Sequence, residues 1–249
     1  MSKLSVPAVT ADQMREVDRL MVEEYNISLE EMMENAGRNL ADLTMEILNR
    51  KGPLENGRHV VVACGTGNNG GGGMVATRFL FNRGLDLTVV LAGEESRLKT
   101  APAQRWRTLK RLPVTALVAN GHDERGVFAE CDLIIDAIFG YGLRDTPKGT
   151  PARVISEIVN SGNTNVLSLD VPSGLDSTDG SFGKACIRAM ATVTLALPKT
   201  GLREPKAKEC VGDLFLADIG VPPSLYKHLG LPPQYLFTQE TILPLNPIS

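Results

Sequence analysis

His59-Val60-Val61-Val62-Ala63-Cys64 runs directly into Gly65-Thr66-Gly67-Asn68-Asn69-Gly70-Gly71-Gly72-Gly73, and Met74-Val75-Ala76-Thr77-Arg78-Phe79-Leu80-Phe81 follows. The first run is apolar and β-branched, as a strand buried on both faces should be. The last carries apolar groups three and four apart and stops near Gly84, which predicts a helix with a glycine end. Six of the nine residues between them are glycine, more than a ligand-free turn needs. Backbone without Cβ atoms can approach a phosphate closely, and a helix start supplies free N–H donors with a partial positive charge. The junction therefore points to a phosphate-bearing ligand. The match of Gly65, Gly67 and Gly70 to the dinucleotide fingerprint G-x-G-x-x-G is weak by itself. Met74 stands where a nucleotide-triphosphate loop would want lysine.

Working outward, similar apolar runs recur at 85–92, 114–118, 133–137, 165–170, 191–197 and 212–217. Helical or loop segments too long for hairpins separate them, so the sheet should be mostly parallel with helices on both faces. The expected fold class is α/β, a three-layer α/β/α Rossmann-like domain, preceded by two N-terminal helices. Thr10-Ala11-Asp12-Gln13 and Ser28-Leu29-Glu30-Glu31 are capping-box patterns for those helices, and the apolar stripes behind them, Met32 and Met33 included, read as core. Residues 1–249 are expected to form a single domain, with 231–249 as an extended, proline-bearing C-terminal arm.

With 43% apolar and 22% charged residues, the chain can bury a full core. A net charge of −3 argues against a nucleic-acid groove, and the basic cluster at 97–111 reads as a solvated helix face. Cys64, Cys131, Cys186 and Cys210 form no C-x-x-C pair and read as buried, reduced thiols of a cytoplasmic protein. His59, His122 and His228 lack zinc-ligand spacing. No run is long enough to span a membrane, and no targeting segment is visible.

Two strands end on aspartate: Leu133-Ile134-Ile135-Asp136-Ala137-Ile138-Phe139-Gly140 and Val166-Leu167-Ser168-Leu169-Asp170-Val171-Pro172-Ser173-Gly174. In an open α/β sheet, such ends share an edge with the glycine turn, and both carboxylates are expected to face it. Close buried carboxylates repel, so either one is protonated or a cation lies between them. Oxygens from Asn69, Asp136 and Ser173 would suit a hard cation such as K⁺, Na⁺ or Mg²⁺, leaving Asp170 for proton transfer. The loop Gly140-Tyr141-Gly142-Leu143-Arg144-Asp145-Thr146 can wrap a ligand, and Lys199 at a further strand end could reach it, although a lone turn lysine is normally solvated.

Taken in order, Thr10-Ala11-Asp12-Gln13-Met14-Arg15-Glu16-Val17-Asp18, Met33-Glu34-Asn35-Ala36-Gly37-Arg38, Gly67-Asn68-Asn69-Gly70-Gly71, Asp136-Ala137-Ile138-Phe139-Gly140 and Asp170-Val171-Pro172-Ser173-Gly174 resemble the YjeF N-terminal domain family, the NAD(P)H-hydrate (NAD(P)HX) epimerases, across nearly the whole chain. The resemblance implies an isomerase that interconverts R and S hydrated NADH and NADPH for a separate, S-specific dehydratase. It implies substrate contacts from Asn68, Asn69, Gly70, Gly71 and Gly72, from Gly140 to Thr146 and from Asp170, with Asp170 catalytic. It further implies one K⁺ per subunit on Asn69, Asp136 and Ser173, and a homodimer. Gly72 stands where the family usually has the Asp that closes Asn-Asn-Gly-Gly-Asp. That departure leaves a non-catalytic nucleotide-binding or dimerising scaffold as the alternative. An NAD-dependent dehydrogenase would leave the second Asp motif unexplained.

Overall fold

The computed structural model describes residues 6–50, 52, 57–122, 124, 126–143 and 145–245. Helix α1 (Ala11–Glu23) and helix α2 (Leu29–Arg50) come first. Thr10 Oγ1 accepts from Gln13 N at 3.2 Å while Gln13 Oε1 accepts from Thr10 N, closing the capping box; Ser28 and Glu31 repeat it at α2. The strands are β1 (His59–Cys64), β2 (Asp86–Leu91), β3 (Thr115–Val118), β4 (Leu133–Ala137), β5 (Val166–Leu169), β6 (Ala191–Leu195) and β7 (Asp213–Ala217), all parallel. Helices α3 (Asn68–Phe81), α4 (Thr100–Leu109), α5 (Gly149–Asn160) and α6 (Lys208–Val211) lie between them in sequence. A short strand, β8 (Ile242–Pro244), adds antiparallel to the β7 edge. Three residues with a proline give too short a period to find in the sequence. Residues 246–249 of the expected arm lie outside the described residues.

The sheet order is β3-β2-β1-β4-β5-β6-β7-β8. Period-2 alternation divides the core: Val60, Val62 and Cys64 pack with α2, α3 and α4, whereas Val61 and Ala63 pack with α5. The order reverses between β1 and β4, and the loops leaving those two strands open a crevice at that switch point.

Helix α3 begins at Asn68, not Met74, so Gly70 to Gly73 lie inside a helix. Four helical glycines cost about 4 kcal/mol against alanine. Close packing offsets that cost. A Cβ on Gly70 would sit 1.9 Å from the Gly65 carbonyl oxygen, one on Gly71 2.5 Å from Met33 Sδ, and one on Gly73 2.6 Å from the Ala137 Cβ. The glycines thus let α3 press against α2 and the sheet. Gly70→Ala is expected to lose about 1–3 kcal/mol, because backbone must move. Gly142→Ala, where nothing lies within 4 Å, should stay within about 0.5 kcal/mol. Urea melts of both variants check this.

Candidate functional site

The crevice encloses about 420 Å³, a nucleotide-ligand size. Its floor and one wall come from Gly65 to Asn69 and from Ile138 to Leu143. Gly67 caps α3 without a side-chain bond, so the first-turn N–H groups face the opening without an intrahelical partner. Met14, Met32, Met33 and Ala36 from α1 and α2 line the opposite, apolar wall. The methionine stripe read as core therefore also forms part of the cavity.

Asp170 follows β5 in a left-handed conformation, φ +68°, closed by a bond from Val171 N to the Leu169 carbonyl at 2.9 Å. Such three-residue turns are strained, and strain of this kind concentrates at functional positions. Beside it, Ala196 (φ +61°) makes the same turn after β6, with Leu197 N donating to Leu195 O at 2.7 Å. The paired turns frame Lys199. Its ammonium, 0% exposed, forms an ion pair with Asp170 Oδ1 and donates to Leu195 O at 2.9 Å and Thr194 Oγ1 at 3.3 Å. Tyr141 N donates to the other Asp170 oxygen at 2.9 Å, and the Tyr141 ring lies 5.6 Å from the ammonium. The segment before α1 locks Lys199 in place, since Val9 N donates to Pro198 O at 2.9 Å and Thr200 N to Val9 O at 3.0 Å. Asp170 thus meets its counter-charge in a lysine of the same chain, and the repulsion argument for an intervening cation loses its force.

Asp136 behaves differently from the expectation that it would face the glycine turn. Its carboxylate is buried behind the crevice and accepts from Ser173 Oγ at 2.6 Å, Ser173 N at 2.8 Å, Ser168 Oγ at 2.9 Å and Ile138 N at 3.3 Å. Burial raises its pKa, and those donors oppose the shift. Ser173 Oγ in turn accepts from Phe139 N at 2.9 Å, which ties the Asp170 loop to the loop after β4.

Of the residues expected to contact substrate, Asn68, Asn69, Gly72, Gly140, Tyr141, Gly142, Leu143 and Asp170 line the crevice. Gly70 and Gly71 are instead buried in helix packing, and Asp145 and Thr146 are exposed outside the cavity. Arg144 lies outside the described residues. Asn69 joins the cavity while Asp136 and Ser173 sit behind it, so the three candidate cation ligands are split between wall and core.

Two further residues belong to the crevice. Asp18 on α1 accepts from the Tyr141 hydroxyl at 2.6 Å, and Lys99 lines the end near Thr66. The signal for Asp18 is a carboxylate at the edge of the apolar stripe Met14, Val17, Met21.

These features define an α/β/α domain with a strand-end crevice suited to a phosphate-bearing ligand and a fixed carboxylate. A family model described as YjeF-related protein N-terminus matches residues 29–201. Over 230 residues the chain is 40% identical to an NAD(P)H-hydrate epimerase of Dehalogenimonas lykanthroporepellens, covering 91% of this chain and 87% of that one. It is 36% identical over 223 residues to a bifunctional NAD(P)H-hydrate repair enzyme of Moorella thermoacetica, covering 87% of this chain and 41% of that one. The crystal structure of the yeast protein YNL200c has the same fold, with a TM-score of 0.81 at 24% identity over 96% of this chain and 100% of that one. The chain belongs to the family of YjeF-related protein N-termini.

Proposed function

We propose that this crevice interconverts the R and S forms of hydrated NADH and NADPH, so that a dehydratase specific for S recovers both. The observation that carries the reading is one cavity joining an uncapped helix N-terminus, suited to the ligand's phosphates, to a carboxylate held by a buried lysine. Relatives named NAD(P)H-hydrate epimerase support it, and on this reading the chain is an isomerase. The bifunctional relatives are more than twice the length this chain covers, in keeping with a second repair activity on another domain.

Carbon C6 of the hydrated ring bears a hydroxyl beside the ring nitrogen. Losing that hydroxyl leaves positive charge on the ring, and Asp170 supplies a negative wall and a proton acceptor beside it. Helix α3 and Asn68 hold the phosphate-bearing part, Gly140 to Leu143 lie against the ligand, and the Met14, Met32 and Met33 wall limits water.

K⁺ would be held from the cavity side by Asn69, with Ser173 and Asp136 behind it. The set is hard, and among the described residues nothing donates to Asn69 Oδ1, whose amide donates to Leu169 O at 3.3 Å. Asp136, saturated by protein donors, would act from behind through the Ser173 hydroxyl. A bound K⁺ would add positive charge near the substrate's oxygens. A cytoplasmic homodimer belongs to the same reading, and the four free, buried cysteines fit a reducing compartment.

The ion pair at Asp170 favours a working site over the scaffold that Gly72 would allow. A Cβ at Gly72 meets only Leu169 Cδ2, at 2.9 Å, a flexible contact. Gly72→Asp should therefore fold and lower KM for NADPHX by about tenfold or more through one added hydrogen bond to the ligand. Steady-state KM of both proteins checks it.

The test of function starts from purified R-NADPHX and follows the epimer ratio by proton NMR in K⁺ buffer. Rapid approach to equilibrium is expected with the protein present. An unchanged rate with folded protein would overturn the reading.

A further inference from the structure

Epimerisation replaces a hydroxyl on one face of C6 with one on the other, so it needs a proton donor where the hydroxyl leaves and an acceptor where water returns. One carboxylate does not serve both faces. The crevice holds a second one. Tyr141 bridges the two: its backbone N–H donates to Asp170 at 2.9 Å and its hydroxyl donates to Asp18 at 2.6 Å. Both carboxylates line the cavity, one carried by α1 and the other by the β5 end.

Resting on the epimerase reading, we infer that Asp18 is the second acid/base of the site, facing C6 from the side opposite Asp170, with Tyr141 as the positioning residue between them. In one direction the Asp18 carboxylic acid gives its proton to the C6 hydroxyl. The C6–O bond breaks, the electron pair leaves with oxygen as water, and the ring nitrogen's lone pair forms a C6–N double bond. Water then attacks C6 from the other face, the nitrogen recovers its lone pair, and the water's extra proton passes to the Asp170 carboxylate. Exchange with solvent resets both groups. The opposite epimer uses the same steps in reverse.

The environments of the two carboxylates divide the roles. Asp170 is held in an ion pair with the buried Lys199 ammonium. Burial pushes the Asp18 carboxyl above its ordinary range, with the nearby Asp170 charge adding to the shift, while the Tyr141 hydrogen bond and Lys199 oppose it. Burial and the Asp18 charge in turn hold the Tyr141 phenol up, so it remains a donor, with Arg15 as the opposing cation. Two carboxyls on one cavity, one ion-paired to a lysine and one hydrogen-bonded to a tyrosine, are placed to act as base and acid.

The test is the pH profile of kcat for R-to-S conversion of NADPHX. A required acid with a raised pKa gives a rate that falls as pH rises through that pKa. Asp18→Asn should lower kcat by about 10²–10⁴-fold, leave KM within a few-fold and remove the alkaline limb. Tyr141→Phe deletes the hydrogen bond that lowers the Asp18 pKa, so its alkaline limb should move to higher pH. Wild-type kcat and profile in Asp18→Asn would overturn the inference, as would an unmoved limb in Tyr141→Phe if Asp18→Asn fails to fold. An inactive wild-type protein would instead overturn the epimerase reading itself.

Discussion

Asp170→Asn is expected to slow the exchange of NADPHX epimers by about 10²–10⁴-fold, measured at a temperature where the variant is still folded, since Lys199 loses its counter-charge. Asparagine keeps the size of the side chain and an oxygen for the Tyr141 amide, which now donates at 2.9 Å. It removes the negative charge that faces the developing ring cation and the base that takes the proton of returning water. The loss should appear in kcat more than in KM, because the charge matters most when the ring is cationic. Stopped assays with purified R epimer give both parameters. A variant with wild-type kcat would move the chemistry away from this carboxylate.

Lys199→Met is the second large effect, and it falls first on stability. The wild-type ammonium is fully buried and satisfied by Asp170, Thr194 and Leu195. Removing one partner of a buried ion pair leaves the other charge without compensation, at about 3–5 kcal/mol. For a domain of this size that corresponds to a fall in Tm of roughly 10 °C by calorimetry. The double variant Lys199→Met with Asp170→Asn removes both charges and should recover part of that loss, since the two sites are in contact and do not add. Activity should stay low in both, because one variant strips the carboxylate of the lysine that holds it in place and the other replaces the carboxylate itself. Equal Tm values for the two variants would show that the pair is not the source of the cost.

The parts of the fold legible in the sequence were those with a strong period. Strands β1 and β4 fall on the apolar runs at 59–64 and 133–137, and α1 starts at its capping box. The start of α3 was not legible, because glycine has poor helical propensity and only the contacts of Gly70, Gly71 and Gly73 with Gly65, Met33 and Ala137 account for a helix there. At the site, Asp170 was readable from its place at a strand end. The burial of Asp136 was not, since it depends on Ser168 one strand away and on the backbone turn that brings Ser173 back over it. The sequence places Lys199 where it could reach the ligand but gives no sign that it is buried. Its burial comes from the extended chain before α1, which pairs with it across 190 residues of sequence. Asp18 was hidden by the same logic, because one carboxylate on an amphipathic helix gives no sign that a tyrosine from the loop after β4 will meet it.

On the proposed function, this crevice turns the R hydrate into the S hydrate. Its most direct test is recovery of NADPH absorbance from an R-rich NADPHX mixture supplied with a purified S-specific dehydratase, in K⁺ buffer, with and without this protein. Without the protein, recovery should slow once the S fraction is consumed; with it, recovery should run quickly to completion. A trace that stalls at the S fraction, in a folded sample that still binds the cofactor, would rule out epimerisation here and leave the chain a binding or scaffolding domain.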